Sequence, residues 1–509
     1  MSDTRLGKSR RNIAAGLMQY ALNLLLVWIG RIIFVRVLSQ EYLGINGLFT
    51  NIISVLSIAD LGIPTAMTYS LYKPLAEKDS VKIAAMVSFF RKVYLVIAGA
   101  VLAIGLCLIP VLPYVVKLDS PVPNLEVYYI LILTNTVITY LFIYRTTLFT
   151  ADQKNYILQR YTMIFRVVAF VVQTILLFMF RNYIVYLIGG TVTGIVSNIV
   201  QNIAARKHYP YLKETAEKLS EKDKKEIRKN VFDLFLYRLC GTIQNNTDSI
   251  LISLFAGTIL VGHYSNYQMM IVAITSILTI VFTSIKASLG NMIASRDTSE
   301  EKKIEVYWTM EKANFWLTAF CSISFMCLFQ GFVELSFGSE YLISLITVGA
   351  IVLNFYTSNI RQPIWAFRET VGMFRETRHI SAVTAIVNLI LSILLGYFWG
   401  MTGVLIATVI SRMVYAWWKE PMILFKKYFK CSPRKYFTNY ILNAFIFVLL
   451  CGVCYFVCEL VKLPSVYISF GLKVLICAVL PNAFFFLFYS KDPAMRDLIK
   501  RVLSRSMNI

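Results

Sequence analysis

Runs of twenty or more predominantly apolar residues, parted by short polar stretches, recur along nearly the whole chain. A helix of about 20 such residues crosses a bilayer core. Fourteen runs qualify, at 13–37, 42–72, 86–113, 125–149, 156–179, 183–205, 231–256, 258–287, 310–331, 341–366, 379–399, 402–424, 437–459 and 465–489. Several are longer than a bilayer needs, so tilt and interfacial ends are expected. The pattern predicts an all-α integral membrane protein with fourteen transmembrane helices.

The longest hydrophilic stretch, RKHYPYLKETAEKLSEKDKKEIRKN at 206–230, follows the sixth run and sets acidic and basic residues at helical spacing. Read as a solvated linker, it divides the chain into an N-terminal six-helix bundle at 1–205 and a C-terminal six-helix bundle at 231–424. Two accessory helices and a tail follow at 425–509. A displacement of 218 positions lays 38–79 over 256–297 with identities at Gly44/Gly262, Ile53/Ile271, Thr65/Thr283, Ser70/Ser288, Leu71/Leu289, Ala76/Ala294 and Asp79/Asp297. Both segments hold the turn, second span and exit of their half. The halves therefore read as pseudo-symmetric and parallel, related about an axis along the membrane normal.

Composition supports the membrane reading: 57% of the 509 residues are apolar and 15% charged, with a mean hydropathy of +0.64. The net charge of +22 does not point to nucleic acid, because of where the charges lie. Alternate loops, at 1–12, 73–92, 150–160, 206–230, 296–312, 367–378, 419–436 and 490–509, hold 38 of the 50 Lys and Arg; the opposite loops hold only Arg36, Lys117, Arg181 and Lys462. This is the positive-inside signature. It predicts cytoplasmic termini, with attraction to anionic lipid as a by-product. MSDTRLGKSRRN leads into the first apolar run without a small-residue cleavage site, so that helix is expected to stay.

Catalysis is not expected. There is no Gly-rich phosphate loop, no metal-ligand spacing, no nucleophile beside a base, and no loop long enough to hold a soluble domain. Cys451, Cys454 and Cys458 resemble a metal motif in spacing, but they lie in an apolar run without His or acidic companions and read as small packing or lipid-facing residues. His208, His263 and His379 fall near loops or helix ends and read as surface side chains.

Charges inside the spans carry the candidate chemistry, since each costs about 2.5–3.5 kcal/mol at mid-membrane. Eight are basic: Arg31, Arg145, Arg166, Arg238, Lys286, Arg361, Arg412 and Lys473. Arg145, Lys286 and Arg361 lie toward helix ends, where snorkelling competes with a specific role. Asp60, in SIADLGIPT, and Asp248 are the deep carboxylates, each an ion-pair or coupling candidate; Asp233 is close to a helix end.

Polar residues at intervals of three and four extend these charges into stripes: Gln19 and Asn23 on the first helix with Arg31 close to that face; Thr162, Arg166 and Gln173 on the fifth; Arg238, Gly241, Asn245 and Asp248 on the seventh. Asn354, Ser358, Arg361 and Trp365 align on the tenth, and Ser381, Thr384, Asn388 and Ser392 on the eleventh. Such stripes serve either as interhelical glue or as walls of a wet cavity. A cavity with more guanidinium than carboxylate favours an anionic substrate, and its amides and hydroxyls suit a sugar.

The opening RLGKSRRNIAAGLMQYALNLLLVWIGRIIFVRVLSQEYLGINGLFTNIISVLSIADLGIPTAM, the YLG turn at 42–44, ADLGI at 59–63 and VGHYSNY at 261–267 resemble the polysaccharide-transporter family. These are Wzx-type flippases of the multidrug/oligosaccharidyl-lipid/polysaccharide flippase superfamily. The resemblance implies a bacterial cell-membrane protein that moves an undecaprenyl-pyrophosphate-linked oligosaccharide by alternating access, for capsule, O-antigen or exopolysaccharide assembly. It implies a cationic cavity with Arg31, Arg166, Arg238, Arg412, Asn23 and Asn245 as substrate-binding candidates, and Asp60 and Asp248 as coupling or ion-pair candidates. No cofactor or metal is expected; coupling to a proton or sodium gradient stays open. Expected partners are the lipid-linked substrate, membrane lipid, a polymerase and glycosyltransferases, with no nucleic acid and the protein a monomer. A peptidoglycan-precursor flippase and a cation-coupled drug or metabolite antiporter of the same superfamily are the alternatives.

Overall fold

The apolar runs fold as helices, because in hydrocarbon every backbone N–H and C=O must find its partner within the segment. The computed structural model describes residues 5–57, 62–118, 122–213, 219–221, 224, 225, 227, 246–294, 299–461 and 463–489, and among them there is no strand. They form two compact units, residues 1–262 and 263–509.

The first unit contains α1 (Arg5–Val37), α2 (Gln40–Leu56), α3 (Ile63–Glu77), α4 (Ser80–Cys107), α5 (Leu125–Tyr140), α6 (Ile143–Ala151), α7 (Asn155–Phe180) and α8 (Tyr183–His208). It also holds α9, helical at 246–256, and the first turn of α10 (Thr258–Ala294). The second contains the rest of α10, then α11 (Glu300–Phe337), α12 (Leu345–Asn359), α13 (Gln362–Val371), α14 (Phe374–Ser411), α15 (Trp417–Ile423), α16 (Arg434–Leu460) and α17 (Val466–Tyr489).

Among the described residues, nine helices are long and apolar enough to cross a membrane, ten when α5 and α6, bent by 51°, count as one span. This is compatible with fourteen. The remaining expected spans are α2 with α3, α9, α12 with α13, and the second half of the continuous helical stretch 379–428. The breaks have local causes. Between α12 and α13, Pro363 cannot donate to the helix, and the Asn314 amide donates to the carbonyls of Asn359 and Ile360 at 3.1 and 2.9 Å. Within α14, Gly400 takes φ 55°, ψ −136°, a conformation essentially reserved for glycine.

The boundary at 262/263 falls later than the hydrophilic linker because the stretch around α9 is fastened to the first unit. Ser253 Oγ donates to the Val115 carbonyl at 2.7 Å, and Thr258 and Lys117 exchange hydrogen bonds at 2.8 Å. Gly44 and Gly262, laid over each other by the displacement of 218 positions, meet within this unit: a Cβ on Gly262 would lie 2.8 Å from the Gly44 nitrogen, and one on Gly44 would overlap the Thr258 carbonyl. At the end of α8, the Tyr209 hydroxyl donates to Asp152 at 3.1 Å, and Lys154 pairs with Asp152 at 2.7 Å. Burial pushes the Tyr209 hydroxyl up, keeping it a donor.

Several expectations are corrected here. The stretch 419–436 is not a loop: helical geometry continues to Tyr428, through wider π-type turns at Arg412–Ala416 and Leu424–Tyr428. That places Glu420 in the bundle, 4% exposed, between Arg361 and Arg368. Arg361 is therefore a buried ion-pair partner and does not snorkel. Lys286 pairs with Glu369 at 2.7 Å, and Arg145 donates to Asn202 at 2.6 Å. His263 is buried against the Tyr341 ring and is not a surface residue.

Candidate functional site

In the first unit α1 and α7 run parallel. Gly16 faces Gln159 and Gly30 faces Phe170, the missing side chains letting the two backbones approach. Helix α8 returns antiparallel: a Cβ on Gly189 would lie 2.6 Å from Leu176 Cδ1, one on Gly190 2.5 Å from Gln173 Nε2, and one on Gly194 3.0 Å from Asn135 Oδ1 of α5. Gly190 and Gly194, one turn apart, form the small-residue face that draws α8 onto α7 and α5.

Where these helices diverge they leave two adjoining recesses of about 230 and 420 Å³. Asn23, Arg31, Asn46 and Arg166 line the first; Asn46, Asn135, Thr162, Arg166 and Thr193 line the second; Gln173 and Tyr186 belong to both. The polar face of α7 follows helical spacing, since Thr162, Arg166 and Gln173 fall within the 3.6-residue period. Among the described residues no carboxylate lines either recess.

The wall is held by its own hydrogen bonds. The Tyr183 hydroxyl donates to Asn46 Oδ1 at 3.1 Å, and the Gln173 amide donates to the Tyr186 carbonyl at 3.3 Å. Tyr183 packs edge-on against Tyr128 at 4.9 Å and stacks with Tyr186 at 6.2 Å, and the Arg31 charge lies within electrostatic range of both Tyr183 and Tyr186. Arg166 is exposed to the recesses, and no hydrogen bond or ion pair joins it to another described residue. Two guanidinium groups, four amides and one tyrosine line the two recesses and make a receptor for an anion carrying hydroxyls.

The structure thus brings together Arg31, Arg166 and Asn23 of the sequence candidates. Arg412 is elsewhere, in the second unit, donating to the carbonyl and side-chain oxygens of Asn354 at 3.1 and 3.2 Å. Asp248 is buried on α9. Asp60, Arg238, Asn245 and Asp233 lie outside the described residues. Asn46, Asn135 and Tyr186 went unnoticed in the sequence because none has a charged residue three or four positions away on its own helix. For Asn46 a signal existed in Thr50, four residues on and also on the wall.

The polar stripes of the second unit behave differently. Asn354 donates to the Leu405 carbonyl at 2.7 Å, Asn388 to Thr408 at 2.9 Å, and Arg361 and Trp365 both reach Glu420. These stripes act as interhelical glue.

Residues 9–285, more than half of the chain, match the family described as polysaccharide biosynthesis protein. No curated protein sequence matches. Among solved structures, a lipid II flippase MurJ in an inward closed conformation superposes with a TM-score of 0.67 at 16% identity, over 96% of this chain and 99% of that one. An inward-facing multidrug resistance MATE family transporter of the MOP superfamily gives 0.56 at 15%, covering 78% and 91%. A MOP superfamily transporter from Pyrococcus furiosus, with a binding pocket of reverse polarity, gives 0.53 at 13%, covering 84% and 97%. At these identities the likeness is one of fold.

Proposed function

The chain belongs to the polysaccharide biosynthesis protein family, and from that premise we propose that it moves an undecaprenyl-pyrophosphate-linked oligosaccharide repeat unit from the cytoplasmic to the outer leaflet of a bacterial cell membrane. The product would feed capsule, O-antigen or exopolysaccharide assembly. One observation carries the reading: Arg31 and Arg166 face a shared cavity that no described carboxylate lines.

Arg166 has no carboxylate among the described residues beside it in the cavity, and a cation inside a membrane costs about 2.5–3.5 kcal/mol, a cost offset when an anion binds. The guanidinium fork matches the pyrophosphate oxygens. Asn23, Asn46 and Gln173 would bond sugar hydroxyls. The combined recess falls in the range of about 300–1,000 Å³ typical of ligand sites, which suits the head group while the prenyl tail stays in lipid. No covalent chemistry is required. A proton or sodium gradient would supply the work, with Asp60 and Asp248 as coupling candidates, and the distribution of Lys and Arg orients both termini to the cytoplasm.

A second reading, a peptidoglycan-precursor flippase, shares this head-group chemistry and is favoured by the fold match to a lipid II flippase over nearly the whole chain. The test for both is Arg166→Ala in cells that depend on this copy. Surface polymer should fall at least tenfold with the protein still in the membrane; Arg166→Lys should restore part of it. Loss of growth on depletion, in place of loss of polymer, selects the second reading. Normal polymer and normal growth in Arg166→Ala overturn both.

A further inference from the structure

Four cysteines spread from 327 to 477 meet in the second unit. Cys327 lies on α11, Cys454 and Cys458 one turn apart on α16, and Cys477 on α17. The sulfurs of Cys327, Cys458 and Cys477 all lie within 4.8 Å of one another, with 3.9 Å between Cys458 and Cys477. Cys454 lies beside Cys327 and Cys477 but not within 4.8 Å of all three sulfurs. All four are free thiols; Cys454, Cys458 and Cys477 are buried and Cys327 is half-buried.

Burial of a small apolar side chain explains any one of these residues, but it gives no reason for thiols on three helices to converge. Geometry does. A metal–thiolate bond is about 2.3 Å, so three sulfurs around one ion stand about 4 Å apart. The 3.9 Å pair already fits that triangle, and the other separations, within 4.8 Å, reach it with shifts of less than an ångström. Among the described residues no carboxylate or imidazole joins the set, and an all-sulfur set selects soft ions over calcium, magnesium or manganese. Lys473, one helical turn before Cys477 on α17 and half-buried, supplies positive charge where thiolates would otherwise stand uncompensated in an apolar bundle.

We propose that Cys327, Cys458 and Cys477, with Cys454 as a fourth donor, bind one thiophilic d10 cation, Cu(I) or Zn(II), and that the ion clamps α16 and α17 to α11. Binding exchanges S–H for S–metal bonds and releases the thiol protons to solvent, with no electron transferred. A ligand that binds only the folded bundle stabilises it.

The test uses full-length protein in detergent, reduced and anaerobic. Cu(I) is titrated against bicinchoninate and Zn(II) against 4-(2-pyridylazo)resorcinol; the ion withdrawn from its chelator identifies the cation. Wild type should take one equivalent and show a higher Tm, with a sulfur-only shell at about 2.3 Å in X-ray absorption. C458S/C477S should bind at least a hundredfold more weakly and C107S/C451S as wild type. C327S, altered at a half-buried position, should bind at least tenfold more weakly and decides the matter if the double variant does not fold. Failure of wild type to withdraw either ion, wild-type affinity in C458S/C477S or in C327S, or isolation of Cys458 and Cys477 as a disulfide from cells would each overturn the proposal.

Discussion

Arg166 and Glu420 are both charges inside the bundle, and they differ in what surrounds them. Arg166 faces open volume beside Arg31, so its removal should affect function and leave the fold intact. We expect Arg166→Ala to lower polymer export with unchanged protein level and Tm, and Arg31→Ala to lower export as well. Glu420 is enclosed by Arg361, Arg368 and the Trp365 indole, which donates at 3.0 Å. Glu420→Ala would leave the buried Arg361 guanidinium without its carboxylate and Arg368 with Glu369 at 3.9 Å, a loss of about 3–5 kcal/mol, read as a marked fall in Tm in detergent. Helical spacing in the sequence revealed the α7 stripe, because two polar residues a turn from Arg166 repeat the face. It did not reveal Glu420, whose basic neighbours Lys419, Lys426 and Lys427 gave that stretch the composition of a loop.

Glycines set the spacing of the helices, and what each would meet decides the cost of substitution. Gly44→Ala drives a methyl into the Thr258 backbone, which cannot step aside without moving α10. The expected loss is about 1–3 kcal/mol, seen as reduced Tm and yield. Gly190→Ala meets only the end of the Gln173 side chain, which can rotate; the protein should keep its Tm while the cavity wall changes. Equal stability of the two variants would contradict this account of the packing. Most spans were legible from hydropathy because a helix in lipid needs only length and apolarity. The interruptions at Ile360–Arg361 and Gly400 were less so, since each depends on one or two residues within an apolar run, and their resolution comes from Asn314 and from a positive φ.

At the scale of the whole molecule, the helical membrane fold was readable from the sequence, because hydropathy extends over many residues and tolerates local noise. The cavity was only partly readable: its α1 and α7 faces follow helical spacing, whereas Asn46, Asn135 and Tyr186 come together only through folding. A cationic wall with no carboxylate among the described residues, in a protein of this family, leads to one expectation above the others, that an anionic lipid-linked glycan crosses the membrane here. The most direct test is to delete the gene and follow lipid-linked oligosaccharides by mass spectrometry, with leaflet sidedness, in the presence and absence of the wild-type copy. The account predicts accumulation of a complete, unpolymerised repeat unit on its prenyl pyrophosphate facing the cytoplasm, cleared by wild type and not by Arg166→Ala. An unchanged lipid-linked pool, with altered drug sensitivity in its place, would contradict it.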